Sequence, residues 1–185
     1  MLELPDVPVL ILRHDYRDYP WHVLDEAGTL LAVGRYPPRV GKRPRVTSPM
    51  NLRVLEFSSP AGVAWLTTEL TGPWMRTVTN ADGSAYGVVR YGHRRARRLE
   101  GVQYSLLDGH GDLVGRAVYR PVQEVDHRLP SWRYFVSDRN DLDVGHVIRH
   151  TNYDAARVEL RFIAPVSPRL AVLCLAAEAS QRTVR

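Results

Sequence analysis

Two short segments concentrate the side chains that could bind an anion. Residues 35–45 hold five basic residues, residues 90–98 hold five more, and neither segment holds an acid. The planar guanidinium group of arginine pairs with phosphate through two parallel hydrogen bonds, and several such groups together raise the local affinity. The candidate anion-binding residues are Arg90, Arg94, Arg95, Arg97, Arg98, Lys42, Arg43 and Arg45. The alternative interpretation is a solvated loop or strand end whose charges bind nothing specific.

The rest of the chain is acidic. The 25 Lys and Arg residues exceed the 20 Asp and Glu residues by five, but ten of the 25 lie in the two basic segments. The remaining residues therefore carry 15 positive and 20 negative charges, a net of −5. This segregation favours a local contact with an anionic partner. Nucleic acid is not the expected partner, because the remainder is acidic and the sequence shows no recognition helix or interleaved basic–aromatic run.

The residue types that carry catalysis or bind metals are sparse. His146 and His150 are four residues apart, but they fall at the end of a predicted strand and lack the glutamate of a zinc-binding H-E-x-x-H helix. Cys174 is surrounded by leucine and alanine, which predicts a buried, unreactive thiol. The chain contains no P-loop and no G-x-S-x-G motif. We therefore expect a protein without enzymatic activity, cofactor or metal.

One acidic segment is similar to a calcium-binding loop. Residues 138–143 alternate acids with other residues, but Leu142 stands where an EF-hand loop needs an oxygen ligand, and no glutamate closes the loop. We expect a hairpin turn there.

Alternating polarity predicts that short β-strands position these residues. In residues 155–163, Val158, Leu160 and Phe162 alternate with charged residues, the period of a half-buried strand. Similar runs predict twelve strands, at 9–13, 21–25, 29–35, 52–57, 62–69, 74–79, 84–91, 102–108, 112–119, 132–137, 143–149 and 156–163. The four tryptophans, Trp21, Trp65, Trp74 and Trp132, fall on four of these strands and are expected to pack in a core or at a barrel rim.

Recurring turn residues predict that the strands form hairpins. Asp or Asn opens each turn by bonding its own backbone, and glycine supplies a positive φ. The turns begin at Asp25, Asn80, Asp108 and Asp138, and are followed by Gly34, Gly87, Gly115 and Gly145 respectively. A degraded fifth unit is expected at Ser59–Gly62. This irregular repeat is typical of a meander or a closed barrel.

The chain is expected to end in a buried helix, at about 167–181. Ser167 suits an N-cap and Pro168 the first helical position, and eight apolar residues follow from Leu170 to Ala177. A helix that is apolar all round must be buried on every side. The 185 residues fit one domain, 1–185, and the single cysteine excludes an internal disulfide. Glu3 and Asp6 replace the basic residues of a signal peptide, so a cytoplasmic location is expected.

Hairpins followed by one wholly apolar terminal helix resemble the tubby C-terminal-like superfamily, which includes LURP-one-related proteins and phospholipid scramblases. The resemblance covers about residues 9–180, and residues 21–28 and 104–108 look like strand ends of that family. It implies a closed, mainly antiparallel barrel of about twelve strands around the C-terminal helix. Because Lys42 is the only lysine among many arginines, the sequence suggests a bacterial, actinobacterial member.

The resemblance also implies a function, because tubby-type domains bind phosphoinositide head groups through basic side chains. We expect a monomeric, non-enzymatic binding or scaffold domain, peripheral to a membrane, whose partner is an anionic membrane lipid or an acidic protein surface. The alternatives are a scramblase-like lipid-handling protein, a nucleic-acid-binding or partner-binding module, and an enzyme with its site hidden in the barrel rim. No transmembrane segment is expected, because the terminal apolar run is too short to span a bilayer.

Overall fold

Twelve antiparallel strands form one sheet that closes on itself. The computed structural model describes residues 8–15, 20–37, 54–92, 101–119, 131–151 and 155–180. The strands are β1 (Val9–Asp15), β2 (Trp21–Leu24), β3 (Leu30–Arg35), β4 (Val54–Ser58), β5 (Ala64–Gly72), β6 (Met75–Asn80), β7 (Ala85–Tyr91), β8 (Gly101–Asp108), β9 (Leu113–Tyr119), β10 (Ser131–Asp138), β11 (Asp143–Thr151) and β12 (Ala155–Phe162). Each strand pairs with its neighbours in sequence, and β12 pairs with β1 to close the barrel. The predicted barrel is confirmed. The ends of every predicted strand lie within three residues of the observed ends.

Side-chain alternation sends the apolar face of each strand into the barrel. On β12, Val158 and Leu160 are buried in the core, as the period-two pattern predicts. Glu159 points the other way, yet it is only 7% exposed because Arg157 and Arg161 cover it, each with a nitrogen 3.0 Å from its carboxylate. Desolvation opposes the shift, but these arginines hold the pKa of Glu159 below its usual value.

The single helix, α1 (Pro168–Ser180), fills the barrel. The Ser167 hydroxyl accepts a hydrogen bond from the Leu170 N–H at 3.2 Å, so Ser167 is the predicted N-cap and Pro168 begins the helix. Every residue from Leu170 to Ala179 is buried, and α1 packs against β6, β7, β8, β9 and β12. The predicted burial on all sides is confirmed.

Five hairpin turns share one backbone conformation. They connect β2–β3, β4–β5, β6–β7, β8–β9 and β10–β11, and each spans five residues: 25–29, 59–63, 80–84, 108–112 and 138–142. In each, the first N–H donates to the fifth carbonyl and the fourth N–H donates to the first carbonyl. The fourth residue has a positive φ and is glycine in four turns and Asp141 in the fifth. The predicted fifth unit at Ser59–Gly62 is confirmed as a turn, and the Ser59 hydroxyl takes the place of the aspartate and accepts the Val63 N–H at 3.1 Å.

The glycines that follow the turns permit close approach of neighbouring backbone and of the helix. A Cβ atom at Gly87 would lie 2.4 Å from the Leu107 carbonyl oxygen and 3.0 Å from Leu173 of α1. A Cβ at Gly115 would lie 2.5 Å from the Ser137 carbonyl oxygen and 2.7 Å from Leu170. These spacings leave no room for a side chain, which explains the glycine that recurs after the acidic turns.

The barrel has two distinct ends. The five turns and the start of α1 lie at one end, which we call the turn end. The other end, which we call the tip end, holds the tight β5–β6 turn at Gly72–Met75 and the last turn of α1. The connections β3–β4, β7–β8 and β9–β10 also join strands at the tip end, and most of their residues lie outside the described part of the chain.

Candidate functional site

Both basic segments leave the barrel at the tip end. β3 runs from the turn at 25–29 to Arg35, and β7 runs from the turn at 80–84 to Tyr91, so the two strands point the same way. Three strands separate them around the barrel. Of the predicted anion-binding residues, the structure describes Arg90. The others, Arg94, Arg95, Arg97, Arg98, Lys42, Arg43 and Arg45, lie outside the described residues.

Arg90 lies on the outer surface near the end of β7. Its side chain is exposed, and its backbone is paired with Met75 on β6 and Ser105 on β8. Arg35, which ends β3 at the same end of the barrel, is also exposed. The described part of the tip end therefore presents guanidinium groups to solvent.

The β5–β6 turn places two large apolar side chains beside Arg90. Trp74 and Met75 are each 38% exposed, and Pro73 before them is exposed as well. The Tyr91 N–H donates to the Trp74 carbonyl at 2.8 Å and ties the turn to β7. The prediction that Trp74 begins a strand and packs at the barrel rim was wrong in part, because Trp74 occupies the turn and is partly exposed. Its sequence signal was the Gly-Pro pair before it, which favours a turn.

The other described tryptophans behave as predicted. Trp21 and Trp65 are each 6% exposed and belong to the core, where Trp65 makes an edge contact with Phe57. The side chain of Trp132 lies outside the described residues.

The turn end carries the opposite charge. The five turns together contain seven acids, Asp25, Glu26, Asp82, Asp108, Asp112, Asp138 and Asp141, and one arginine, Arg139. The Asp108 carboxylate accepts N–H groups of Asp112 at 3.0 Å and His110 at 2.9 Å. These backbone donors hold the pKa of Asp108 below its usual value. The five turns are thus acidic, and Arg116, Arg161 and Arg169 form ion pairs with three of their carboxylates.

A cavity of about 600 Å³ opens at the turn end, where α1 begins. Its walls combine the apolar side chains of Val144, Pro165 and Val166 with charged groups of the two neighbouring turns. Its Asp108 carboxylate lies 3.5 Å from the Arg169 guanidinium, and other lining carboxylates accept turn N–H groups. The Asp108, Asp138 and Ser167 side chains of this lining are therefore already engaged in the turns and the helix N-terminus.

A buried ion pair lies inside the barrel, near the tip end. The Arg149 Nε donates to the Glu178 carboxylate at 2.6 Å, and its Nη2 donates to the Glu178 carbonyl at 3.2 Å. The Tyr91 hydroxyl donates to the Ala177 carbonyl at 3.1 Å. These donors satisfy carbonyls of the last helical turn, which have no partner within the helix, and the guanidinium complements the negative end of the helix dipole. The sequence analysis missed this pair, because an acid in an apolar helix and an arginine 29 residues earlier carry no local pattern.

The residues around the ion pair are ionisable but poorly suited to reaction. Burial and the nearby Glu178 carboxylate raise the pKa of Tyr104 well above its usual value and raise the pKa of the Cys174 thiol. Both residues have no measurable exposure. A neutral thiol shielded from solvent is a poor nucleophile, so the prediction of a buried structural Cys174 is confirmed.

The remaining candidates for metal binding are separated or engaged in structure. His146 and His150 lie on β11, and four residues along a strand span about 13 Å, too far for one ion. His150 instead lies 3.5 Å from the Glu159 carboxylate. The predicted hairpin turn at 138–142 is confirmed, with the Asp138 carboxylate accepting the N–H of Asn140 and Leu142. Among the described residues, no three His, Cys, Asp or Glu side chains are grouped so that they could hold a metal.

Within the described part of the chain, α1 is the only helix, and it is too short to cross a membrane.

The comparisons with known proteins establish the fold alone. No protein-family profile and no curated protein matches the chain. A protein from Arabidopsis thaliana, known from an X-ray structure, matches with a TM-score of 0.54 and 12% sequence identity. The match covers 98% of this chain and 99% of the plant protein. The same barrel-and-helix architecture therefore extends over both whole chains.

Proposed function

We propose that this protein is a non-enzymatic binding domain that recognises anionic phospholipid head groups at the tip end of its barrel. The binding residues in this proposal are Arg90, Arg94, Arg95, Arg97 and Arg98, joined by Lys42, Arg43 and Arg45. The domain is a peripheral, cytoplasmic member of the tubby C-terminal-like superfamily from a bacterium. The twelve-stranded barrel around a buried terminal helix supports that assignment.

The direction of β3 and β7 is the observation that supports this site most strongly. Both strands end at the tip end, so the two basic segments that continue them begin on one side of the molecule. The acids of the five turns lie at the opposite end. A protein with this charge distribution approaches an anionic surface with its tip end first, because the negative turn end is repelled.

The expected affinity is weak and depends on salt. Each basic residue near an anionic membrane surface contributes on the order of 1 kcal/mol. Exposed charges are screened within about 8 Å at physiological ionic strength, so raising the salt concentration removes most of the attraction.

Sedimentation with liposomes tests the proposal. Wild-type protein is expected to sediment with vesicles that contain phosphatidylserine or phosphoinositides at low salt, and to remain in the supernatant at high salt or with neutral vesicles. Changing Arg94, Arg95, Arg97 and Arg98 to glutamine is expected to abolish the association without changing the melting temperature.

A matched pair of variants separates the location of charge from its amount. Arg94→Gln/Arg95→Gln and Arg139→Gln/Arg169→Gln remove the same charge, the first from the segment proposed to bind and the second from the turn end. Only the first is expected to weaken binding. Equal losses in both variants, or wild-type protein that ignores anionic vesicles at low salt, would refute the proposed site.

A further inference from the structure

Among the described residues, large exposed apolar side chains lie at both ends of the barrel: Val63, Leu142 and Ile163 are 63%, 63% and 69% exposed, and Trp74 and Met75 are each 38% exposed. Val63 and Leu142 belong to turns at the turn end, and Ile163 follows β12 at that end, where its N–H donates to Val144. Trp74 and Met75 are adjacent in sequence and lie at the tip end, next to the exposed Arg90.

We propose that the β5–β6 turn, Pro73–Met75, inserts into the interfacial layer of an anionic bilayer. This inference rests on the proposed function and adds the part of the protein that enters the membrane. In the bound state, the Trp74 ring and the Met75 side chain lie at the level of the lipid carbonyls, and the Arg90 guanidinium contacts head-group phosphates.

The chemistry of the turn favours a lipid interface as its partner. Tryptophan combines a large apolar ring with one N–H donor, and it is enriched where hydrocarbon meets water in membrane proteins. Arginine beside it supplies the cation that anionic head groups attract. The β5–β6 turn lies around the barrel between the ends of β3 and β7, so the two basic segments begin on either side of it.

The turn is held in position before any ligand arrives. A two-residue connection, Pro73-Trp74, joins β5 and β6, and proline restricts its backbone. The Thr71 and Thr77 hydroxyls are hydrogen-bonded across the two strands at 3.1 Å, and the Tyr91 N–H holds the Trp74 carbonyl. A segment that is already ordered loses little conformational entropy on binding, so its apolar area contributes more fully to affinity.

The first experiment compares apolar substitutions at the two ends of the barrel. Trp74→Ala is expected to weaken binding to phosphatidylserine vesicles about tenfold, which is about 1.4 kcal/mol. Met75→Ala is expected to weaken it less. Val63→Ala and Leu142→Ala remove exposed apolar groups from the turn end and are expected to leave the affinity unchanged. The Trp74 backbone carbonyl survives substitution, and Trp74→Phe provides a second, more conservative variant if the alanine variant is unstable.

The second experiment measures insertion directly. Vesicles with bromine atoms on the lipid acyl chains quench tryptophan fluorescence at short range. Wild-type protein is expected to be quenched when it binds, and Trp74→Phe is expected to bind with most of that quenching lost. Trp21 and Trp65 are buried in the core. Trp132, whose side chain lies outside the described residues, is present in both proteins, so only the difference in quenching between them is assigned to Trp74.

The outcomes separate this inference from the proposed function. If wild-type protein binds anionic vesicles but Trp74→Ala binds equally well and no quenching depends on Trp74, the insertion is refuted while head-group binding stands. If the wild type binds no anionic vesicle, both are refuted. If Trp74→Ala instead dissociates an oligomer of the chain without changing vesicle affinity, the turn is a protein contact and the insertion is refuted.

Discussion

At the residue scale, the Arg149–Glu178 ion pair places two opposite charges inside the barrel. Both side chains are nearly inaccessible to solvent, with side-chain exposures of 9% and 0%. Removing such charges from water is unfavourable, and their attraction compensates only when the geometry is good and the other polar atoms are satisfied. The 2.6 Å contact and the second bond to the helix carbonyl meet that condition.

Breaking this pair is expected to destabilise the protein strongly. Arg149→Met leaves the Glu178 carboxylate buried without its cation, and such single changes cost about 3–5 kcal/mol. The double variant Arg149→Met/Glu178→Leu removes both charges and is expected to recover most of that loss. Arg169→Gln, which breaks an exposed contact with Asp108, is the control and is expected to cost less than about 1 kcal/mol. Urea unfolding measures all three; a double variant as unstable as the single one would contradict the explanation.

The carboxylates of the turns make stability depend on pH. Backbone N–H donors lower the pKa of Asp108 in the folded chain, so folding favours its ionised form. The resulting stabilisation is fully present above the pKa of the unfolded chain, about 3.9, and is lost as the pH falls through the lower folded value. Asp108→Asn keeps an acceptor oxygen but cannot titrate. Its melting temperature is expected to lie below that of the wild type at neutral pH and to approach it in acid. If the melting temperatures of the two proteins change in parallel with pH, Asp108 contributes nothing to the pH dependence of stability.

At the element scale, α1 supplies the inner part of the core. Four branched apolar side chains, Leu170, Val172, Leu173 and Leu175, are buried between the third and eighth residues of the helix. Burying each contributes about 1.5–3 kcal/mol, and the sum is comparable to the 5–15 kcal/mol net stability of a typical domain. The barrel strands turn their apolar faces toward this helix, so the sheet and the helix depend on each other.

Removing α1 is therefore expected to unfold the barrel. A chain truncated after Val166 should be insoluble or molten, and Leu173→Asp in the full chain should do comparable damage through one unpaired buried charge. Leu173→Met, which nearly conserves volume, is the control and should cost less than about 1.5 kcal/mol. Thermal unfolding followed by near-ultraviolet circular dichroism distinguishes these cases. A cooperative transition in the truncated chain would show that the sheet has a sufficient core of its own.

At the scale of the whole molecule, closure of the sheet limits the association of the protein with other copies of itself. β1 pairs with β2 on one side and with β12 on the other, so the described strands leave no free edge. Exposed strand edges are the usual route by which sheets associate.

The protein is expected to be monomeric in solution. Its sedimentation coefficient should not change with protein concentration at physiological salt, because no edge is available for pairing between chains. At very low salt, the acidic turn end and the basic segments of a second copy attract one another, so weak association is expected there and should vanish as salt is added. A stable dimer that persists at high salt would point to an apolar interface instead.

The elements that repeat a local spacing were determined by the sequence alone. The period of two in the strands, the acid-then-glycine turns and the all-apolar terminal run each depend on neighbouring residues, and each predicted the observed element. Ser59–Gly62 shows the limit of such patterns: a serine forms the same turn as an aspartate, because the hydroxyl and the carboxylate accept the same backbone N–H.

What joins distant parts of the chain was decided by the tertiary structure. Packing of α1 inside the barrel brings Glu178 to Arg149, and the inward face of β6 buries Arg76, whose guanidinium donates to the Thr68 hydroxyl on β5 at 3.0 Å. Antiparallel pairing of successive strands sends β3 and β7 to one end, and Trp74 lies partly exposed in the turn between them. The positions of charged and aromatic residues in the sequence do not by themselves predict which residues they contact. Their partners depend on which strands become neighbours and in which direction each strand runs.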